Sequence, residues 1–447
     1  MPQQNAGGKP VLPTNKRSIA IFDKALRVFP DGTTRATVEK DPFPRYIKKG
    51  DGAHVVDVDG NRLLDLNNNF TTLIHGHGFA PVIEAVEREL RNGTCFANPT
   101  EHEYALAELI CGRIPAVEKI RFVNTGTEAV MFAIKAARAF TGRPGVARFE
   151  GAYHGAYDWA EAGQTGRPEN WGAPDRPNAV PSYRGMPGSV TDEIVVLRIN
   201  DIEQSVARIE AEAHKLACLL IDPMPSRAGL IALDKLYIDA ISEAARKQGI
   251  VIISDEVLNL RQAFEGASRR YGICPDLITM GKIIGGGFPI GAIGGREDIM
   301  GVFGRPGEKA ALPQGGTFSA NPISTVAGLE CMKAMDVEAF EKLEVFGTRL
   351  RSSISEASEA FQAPFCVTGA ASLFRIHTRK TPPREYREAF PLAKDMEILT
   401  SMQRHFLSRG IILPVGAAAC LSTVMTDADI DHITGTWTSF LAKHQSS

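Results

Sequence analysis

The sequence predicts an α/β protein in which a mostly parallel sheet is covered by helices and a smaller α+β unit is attached. Two observations carry this. Between residues 119 and 280, short apolar runs alternate with longer amphipathic segments, the pattern of buried strands joined by crossover helices. The chain also has 447 residues, well above the ~150 residues of one ordinary core. A composition of 44% hydrophobic and 23% charged residues excludes a disordered or fibrous chain.

The elements follow in order. Residues 1–16 are polar and rich in Gly, Pro and Gln, and read as a flexible arm without a signal-peptide stretch. Apolar residues at 19, 21, 22, 25, 26 and 29 predict an amphipathic helix over 19–29. Residues 53–58 and 62–64 flank Asp59-Gly60, a hairpin signal. Helices are expected at 80–91, 101–114, 127–140 and 236–248, and strands at 119–123, 218–221, 250–254 and 277–280. Residues 165–190 are rich in Pro, Gly and Arg without periodicity, which suggests a long loop over the surface or the active site. Helices at 325–335 and 338–360 then lead to a second unit with a strand at 373–377, a helix at 392–408 and a strand at 411–413. The expected division is an N-terminal arm, helix and small-domain segment over 1–79, a large domain over 80–330, and a C-terminal small domain over 331–447.

Fifty Lys and Arg against fifty-two Asp and Glu give a net charge of −2, which offers no electrostatic footprint for nucleic acid or an anionic membrane. The seven scattered cysteines include no Cys-x-x-Cys pair, so neither a disulfide framework nor a zinc knuckle is indicated. Isolated thiols suit a reducing interior. No apolar run approaches the ~20 residues of a membrane helix. The expectation is a soluble, cytoplasmic protein with no metal, nucleic-acid or membrane partner.

Three segments carry chemistry. In Asn124-Thr125-Gly126-Thr127-Glu128 a strand ends and a helix begins, and Thr125-x-x-Glu128 fits a capping box. Free N–H groups there, with small Gly126 and the Thr127 hydroxyl, form an anion cup suited to phosphate; a capped helix that binds nothing fits the motif equally well. Asp255 and Glu256 sit where a buried strand ends, the place where ligands gather in open α/β sheets, although helix capping also accounts for them. Lys282 ends another apolar strand and meets Gly285, Gly286, Gly287 and Gly291. Desolvation makes such a lysine a usable amine nucleophile. The glycines miss the dinucleotide-binding spacing by one, and Lys282 lacks the following Ser or Thr of a nucleotide P-loop. An anion cup, a buried carboxylate and a desolvated lysine on one sheet edge meet the needs of pyridoxal phosphate, which requires a phosphate site, a partner for its ring nitrogen and an amine for its aldehyde.

On these motifs, together with Val56-Asp-Val-Asp-Gly60, Arg148-Phe-Glu-Gly-Ala-Tyr-His-Gly155 and Gly315-Gly-Thr-Phe-Ser-Ala-Asn-Pro322, the chain resembles the class-III aminotransferases of pyridoxal-phosphate fold type I. Within them it is similar to the branch of the glutamate-1-semialdehyde 2,1-aminomutases and β-amino-acid aminotransferases, over residues 20–435. The resemblance implies that Lys282 is the Schiff-base lysine and proton shuttle, and that Asp255 partners the pyridine nitrogen. It implies a phosphate cup at Gly126 and Thr127 and a ring-stacking Tyr153. It also implies a Thr317 donated by a neighbouring subunit, hence a homodimer with shared sites. Arg35 would bind the substrate carboxylate, with Arg45 and Arg261 as weaker candidates. The activity implied is amino transfer from an amino acid or amine, such as a β-amino acid, to a 2-oxo acid; the alternative is the intramolecular aminomutase reaction. Two departures stand out. Asp222-Pro223 replaces the family's Glu-Pro, and the small segment Val415-Gly-Ala-Ala-Ala-Cys420 stands where aminomutases carry an acidic residue and some β-amino-acid aminotransferases a second arginine. The first shortens a carboxylate near the ring, and the second, a small uncharged wall, points to a bulkier or more apolar amine substrate.

Overall fold

The computed structural model describes residues 14–41, 43–414, 416 and 418–445. Most of the predicted arm, and Val415 and Ala417 of the small segment, lie outside them.

The central sheet has seven strands in the order Lys119–Val123, Gly291–Gly295, Leu277–Gly281, Val251–Asp255, Leu216–Ile221, Gly145–Phe149 and Ile194–Leu197. Gly291–Gly295 runs antiparallel to both its neighbours, and the others are parallel to one another. Alternate residues serve opposite faces. On one face Val146, Leu220 and Ile253 pack with Val130, Ala133 and Ile134 of the helix Gly126–Thr141. On the other, Ala147, Leu219 and Ile252 pack with Tyr237, Ile238 and Ile241 of the helix Lys235–Lys247.

The reversed strand was not expected; of its five residues the sequence reading placed only Gly291, in the glycine-rich loop. Its glycines are set by contact: a Cβ on Gly291 would lie 2.1 Å from the Thr125 carbonyl oxygen, and one on Gly294 2.5 Å from Val117 Cγ1. Close backbone approach, not strand propensity, selects those residues.

A second layer joins the two ends of the chain. Ile411–Ile412 pairs in parallel with Arg62–Asp65, which belongs to the hairpin with His54–Asp57. Leu373–His377 pairs with Cys366–Thr368 and Ala419–Cys420. The helices Val337–Ala360, Ala393–Ser408 and Asp427–Gln445 cover this region. Buried Trp437 packs on Phe365 and Phe440 there, and its Nε1 donates to the Ile354 carbonyl at 3.1 Å.

Other boundaries moved. The first helix is Lys16–Ala25, and the apolar residues beyond it, Leu26, Val28 and Phe29, form exposed turns before Pro30. The stretch 165–190 is irregular except for the strand pair Gly172–Ala173 and Arg176–Pro177 and the start of the helix Gly188–Glu193. Among the described residues, no helix is long and apolar enough to cross a membrane.

Candidate active site

A cleft of about 370 Å³ opens where the central strands end, lined among others by Asn69, Thr127, Tyr153, Asp222, Asp255 and Lys282. The structure thus brings together the three segments singled out in the sequence.

Asp255 closes the strand Val251–Asp255. Its Oδ1 accepts from the Val257 N–H at 3.1 Å and the Thr279 hydroxyl at 2.9 Å, and its Oδ2 accepts from His154 Nδ1 at 2.7 Å. His154 is fully buried, and its pKa is lowered by that burial, with the Arg148 guanidinium adding to the effect. Burial thus disfavours the charged imidazole, the carboxylate takes its hydrogen bond from Nδ1, and Nε2 has no partner among the described residues. Glu256 does not share the cleft. It accepts from the backbone N–H groups of Ala267 at 2.6 Å and Ser268 at 2.9 Å, capping the next helix.

Lys282 follows the strand Leu277–Gly281 in a left-handed conformation, φ 50°. Its amine makes no hydrogen bond or ion pair among the described residues. Burial lowers its pKa to about 8, against the opposing pull of Asp255 and Asp222. Such a group has a sizeable neutral-amine fraction near physiological pH, the requirement for nucleophilic attack on a carbonyl.

The anion cup is the start of the helix Gly126–Thr141. The Thr125 hydroxyl accepts from the Glu128 N–H at 3.1 Å, as the capping motif requires. The return half differs: the Glu128 carboxylate accepts from the Asn124 N–H at 2.8 Å, one residue before the cap. The N–H groups of Gly126 and Thr127 remain free among the described residues. Glycines shape the walls. A Cβ on Gly126 would lie 2.7 Å from Val257 Cγ1, and one on Gly155, at φ 89°, 2.5 Å from the Thr127 hydroxyl.

Tyr153 lines the cleft with 41% of its surface exposed, and the Arg227 guanidinium lies 4.1 Å from its ring centroid. Thr317 stands apart from the cleft of its own chain, in an exposed turn whose carbonyl accepts from Cys95 Sγ at 3.6 Å. Asp222 is 6% exposed; its Oδ1 accepts from Asn259 Nδ2 at 2.6 Å and the Met224 N–H at 3.0 Å. Burial and the neighbouring Asp255 raise its pKa to about 8, so it is largely protonated at neutral pH.

The arginines separate cleanly. Arg45 pairs with Asp57 at 3.0 Å. Arg261 is fully buried and donates to the Ser372 hydroxyl at 3.0 Å and to the carbonyls of Thr71 at 2.8 Å and Leu421 at 2.5 Å. Arg35 has no ion-pair partner among the described residues. It lines a second, largely apolar cavity of about 370 Å³ with Val38, Phe43, Phe70, Leu407 and Leu413.

Between the cavities lies a feature that periodicity did not disclose. Asn68, Asn69, Phe70 and Thr71 all have positive φ, from 47° to 70°. Left-handed backbone costs about 1–2 kcal/mol for a residue such as Phe or Thr. Asp65 and Arg261 lock the turn: Asp65 Oδ1 accepts from the N–H groups of Asn67 at 2.9 Å and Asn68 at 3.1 Å, and Arg261 holds the Thr71 carbonyl. The run Asn67-Asn68-Asn69 was the available signal, since asparagine tolerates this conformation best among non-glycine residues.

A mostly parallel sheet thus presents a free amine, a multiply held carboxylate and an open helix start on one cleft. The sequence profile of the class-III aminotransferases matches residues 36–436, and the chain belongs to that family of pyridoxal-phosphate enzymes. It is similar to an ω-transaminase from Sphaerobacter thermophilus, with 43% identity, a TM-score of 0.92, and 95% of this chain and 97% of that one covered. A β-phenylalanine aminotransferase from Variovorax paradoxus superposes with a TM-score of 0.87 at 30% identity, covering 97% and 95% of the two chains. A glutamate-1-semialdehyde 2,1-aminomutase of Methanothermobacter thermautotrophicus is 34% identical over 405 residues, 90% of this chain and 93% of that protein.

Proposed function

We propose that this aminotransferase moves an amino group from an apolar amino acid, of the β-amino-acid class, to a 2-oxo acid, with Lys282 as its Schiff-base lysine. The observation that carries the proposal is the unpartnered Lys282 amine facing Asp255 and the free N–H groups of Gly126 and Thr127 across one cleft.

The residues fit the cofactor. The open helix start suits its phosphate, Asp255 its protonated ring nitrogen, and Tyr153 its ring face. When bound, pyridoxal phosphate supplies an aldehyde and a ring that draws electrons from the substrate carbon. The protein's part is then positional and electrostatic. His154 and Thr279 hold Asp255 in place from both oxygens. Lys282 would hold the cofactor's aldehyde, and its Nζ would take up and release a proton beside the substrate carbon, for which a pKa near the working pH is suited. Arg35 binds the substrate carboxylate and the neighbouring apolar cavity its side chain. Thr317 of a second copy completes the phosphate site, which makes the working unit a homodimer.

A second reading, intramolecular amino transfer, is favoured by relatives named as aminomutases. The two differ in need: the proposed reaction requires an added 2-oxo acid, and the aminomutase reaction does not. The Lys282→Ala variant is expected to lose coupled turnover of a β-amino acid with pyruvate or 2-oxoglutarate. Unchanged turnover by that variant, or wild-type turnover without acceptor, contradicts the proposal.

A further inference from the structure

We propose that Asn69 is the positioning and specificity residue for the substrate carboxylate: its side-chain oxygen holds Arg35, and its amide nitrogen supplies a further hydrogen bond to the carboxylate. This rests on the reading of Arg35 given above.

Asn69 is the residue that lines both the cleft beside Lys282 and the apolar cavity beside Arg35. Its Oδ1 accepts from Arg35 Nη1 at 3.0 Å. A guanidinium only donates, so that contact fixes the orientation of the amide: oxygen toward Arg35, nitrogen away from it. The nitrogen has no partner among the described residues. The next residue of the same turn, Phe70, lies under the Arg35 guanidinium at 5.6 Å. One left-handed turn therefore presents both groups that orient the arginine. The turn is not a passive loop. It is held by Asp65, whose other oxygen is occupied by His77 Nε2 at 2.8 Å, by the Asn68 side chain bonded to the Asp65 carbonyl at 2.9 Å, and by buried Arg261. Non-glycine residues kept in this conformation by so many partners are characteristic of sites where geometry serves binding.

The chemistry follows. A carboxylate entering beside Arg35 meets a guanidinium whose rotation is already restricted and an N–H donor at its flank. It lies at the junction, so the substrate amine can point to Lys282 while the side chain occupies the apolar cavity. Asn69→Asp keeps the shape and the tolerance for left-handed backbone, but turns the amide into a second anion that pairs with Arg35 and repels the incoming carboxylate.

The test uses calorimetric titration of the holoenzyme with 3-phenylpropanoate, which has the carboxylate but no amine to transfer, and with its neutral analogue 3-phenylpropanamide. Asn69→Asp is expected to weaken 3-phenylpropanoate by about tenfold or more, the scale of one lost hydrogen bond to a charged group, and to leave the amide within about twofold. Asn69→Gly, which adopts the turn freely, should weaken the carboxylate by a smaller factor and also spare the amide. If Arg35→Gln weakens the carboxylate but Asn69→Asp does not, the inference on Asn69 is overturned while the role of Arg35 stands. Equal weakening of both ligands by Asn69→Asp marks a purely structural residue and also overturns it. No effect of Arg35→Gln, or no binding of 3-phenylpropanoate to the wild type, removes the reading beneath it.

Discussion

The lowered pKa of Lys282 can be measured without the cofactor. With a pKa of about 8 in place of 10.5, the neutral amine fraction at pH 7 is about 9% instead of about 0.03%, a ratio near 300. Competitive labelling of the apoenzyme with trace acetic anhydride, read by peptide mass spectrometry, gives the reactivity of each lysine against pH. Partial burial lowers the plateau for Lys282 but not the pH at which its curve bends. That curve should rise tenfold per pH unit and level off near pH 8. In Asp255→Asn the bend should move to lower pH, because Asp255 is the larger influence opposing burial at the amine. A curve for Lys282 that keeps rising to pH 10, as an ordinary lysine's does, refutes the reasoning, since desolvation is then not acting on the amine.

Three further outcomes are expected. Asp222 has a folded pKa above its unfolded value, so the fold loses stability as pH rises from about 4 to about 8. Asp222→Asn should therefore raise apoenzyme stability at pH 8 by more than about 1 kcal/mol, with little change at pH 4; urea melts at the two pH values check this. Arg261→Met leaves the Ser372 hydroxyl and the Thr71 and Leu421 carbonyls without their buried donor. At about 1–3 kcal/mol per unsatisfied group, a loss of roughly 3–9 kcal/mol is expected in chemical denaturation, and a loss below ~1 kcal/mol would contradict the clamp. Gly126→Val crowds the mouth of the cup against Val257, and equilibrium dialysis should show pyridoxal-phosphate affinity falling by about tenfold or more.

What the sequence made legible depended on how local the cause was. Strands such as 119–123 and 277–280 are apolar runs with one interpretation, and the structure places them within a residue or two. The cleft groups follow directly, since Asp255 and Lys282 stand at strand ends that a parallel sheet brings to one edge. Long-range causes were hidden. The strand Gly291–Gly295 has glycines because Thr125 and Val117 press on it from elsewhere in the chain. Arg148, on a strand the sequence did not reveal, is wholly buried among the carbonyls of Phe149, Ala152 and Ala160 and carries no carboxylate partner among the described residues. No local pattern marks either. Arg261 was read as a possible ligand group because an arginine beyond a functional strand looks available. Only the tertiary structure shows its three hydrogen bonds turned inward. Asn69 needed the backbone itself, because the value of its side chain lies in a left-handed turn.

The central claim is that the ε-amino group at position 282 bonds to the cofactor aldehyde. Borohydride reduction of the holoenzyme, followed by proteolysis and mass spectrometry, makes that bond permanent and locates it. The account predicts one pyridoxyl group per chain, on the peptide that contains Lys282. A pyridoxyl group on another lysine, or an unmodified Lys282 peptide from fully loaded protein, would contradict it.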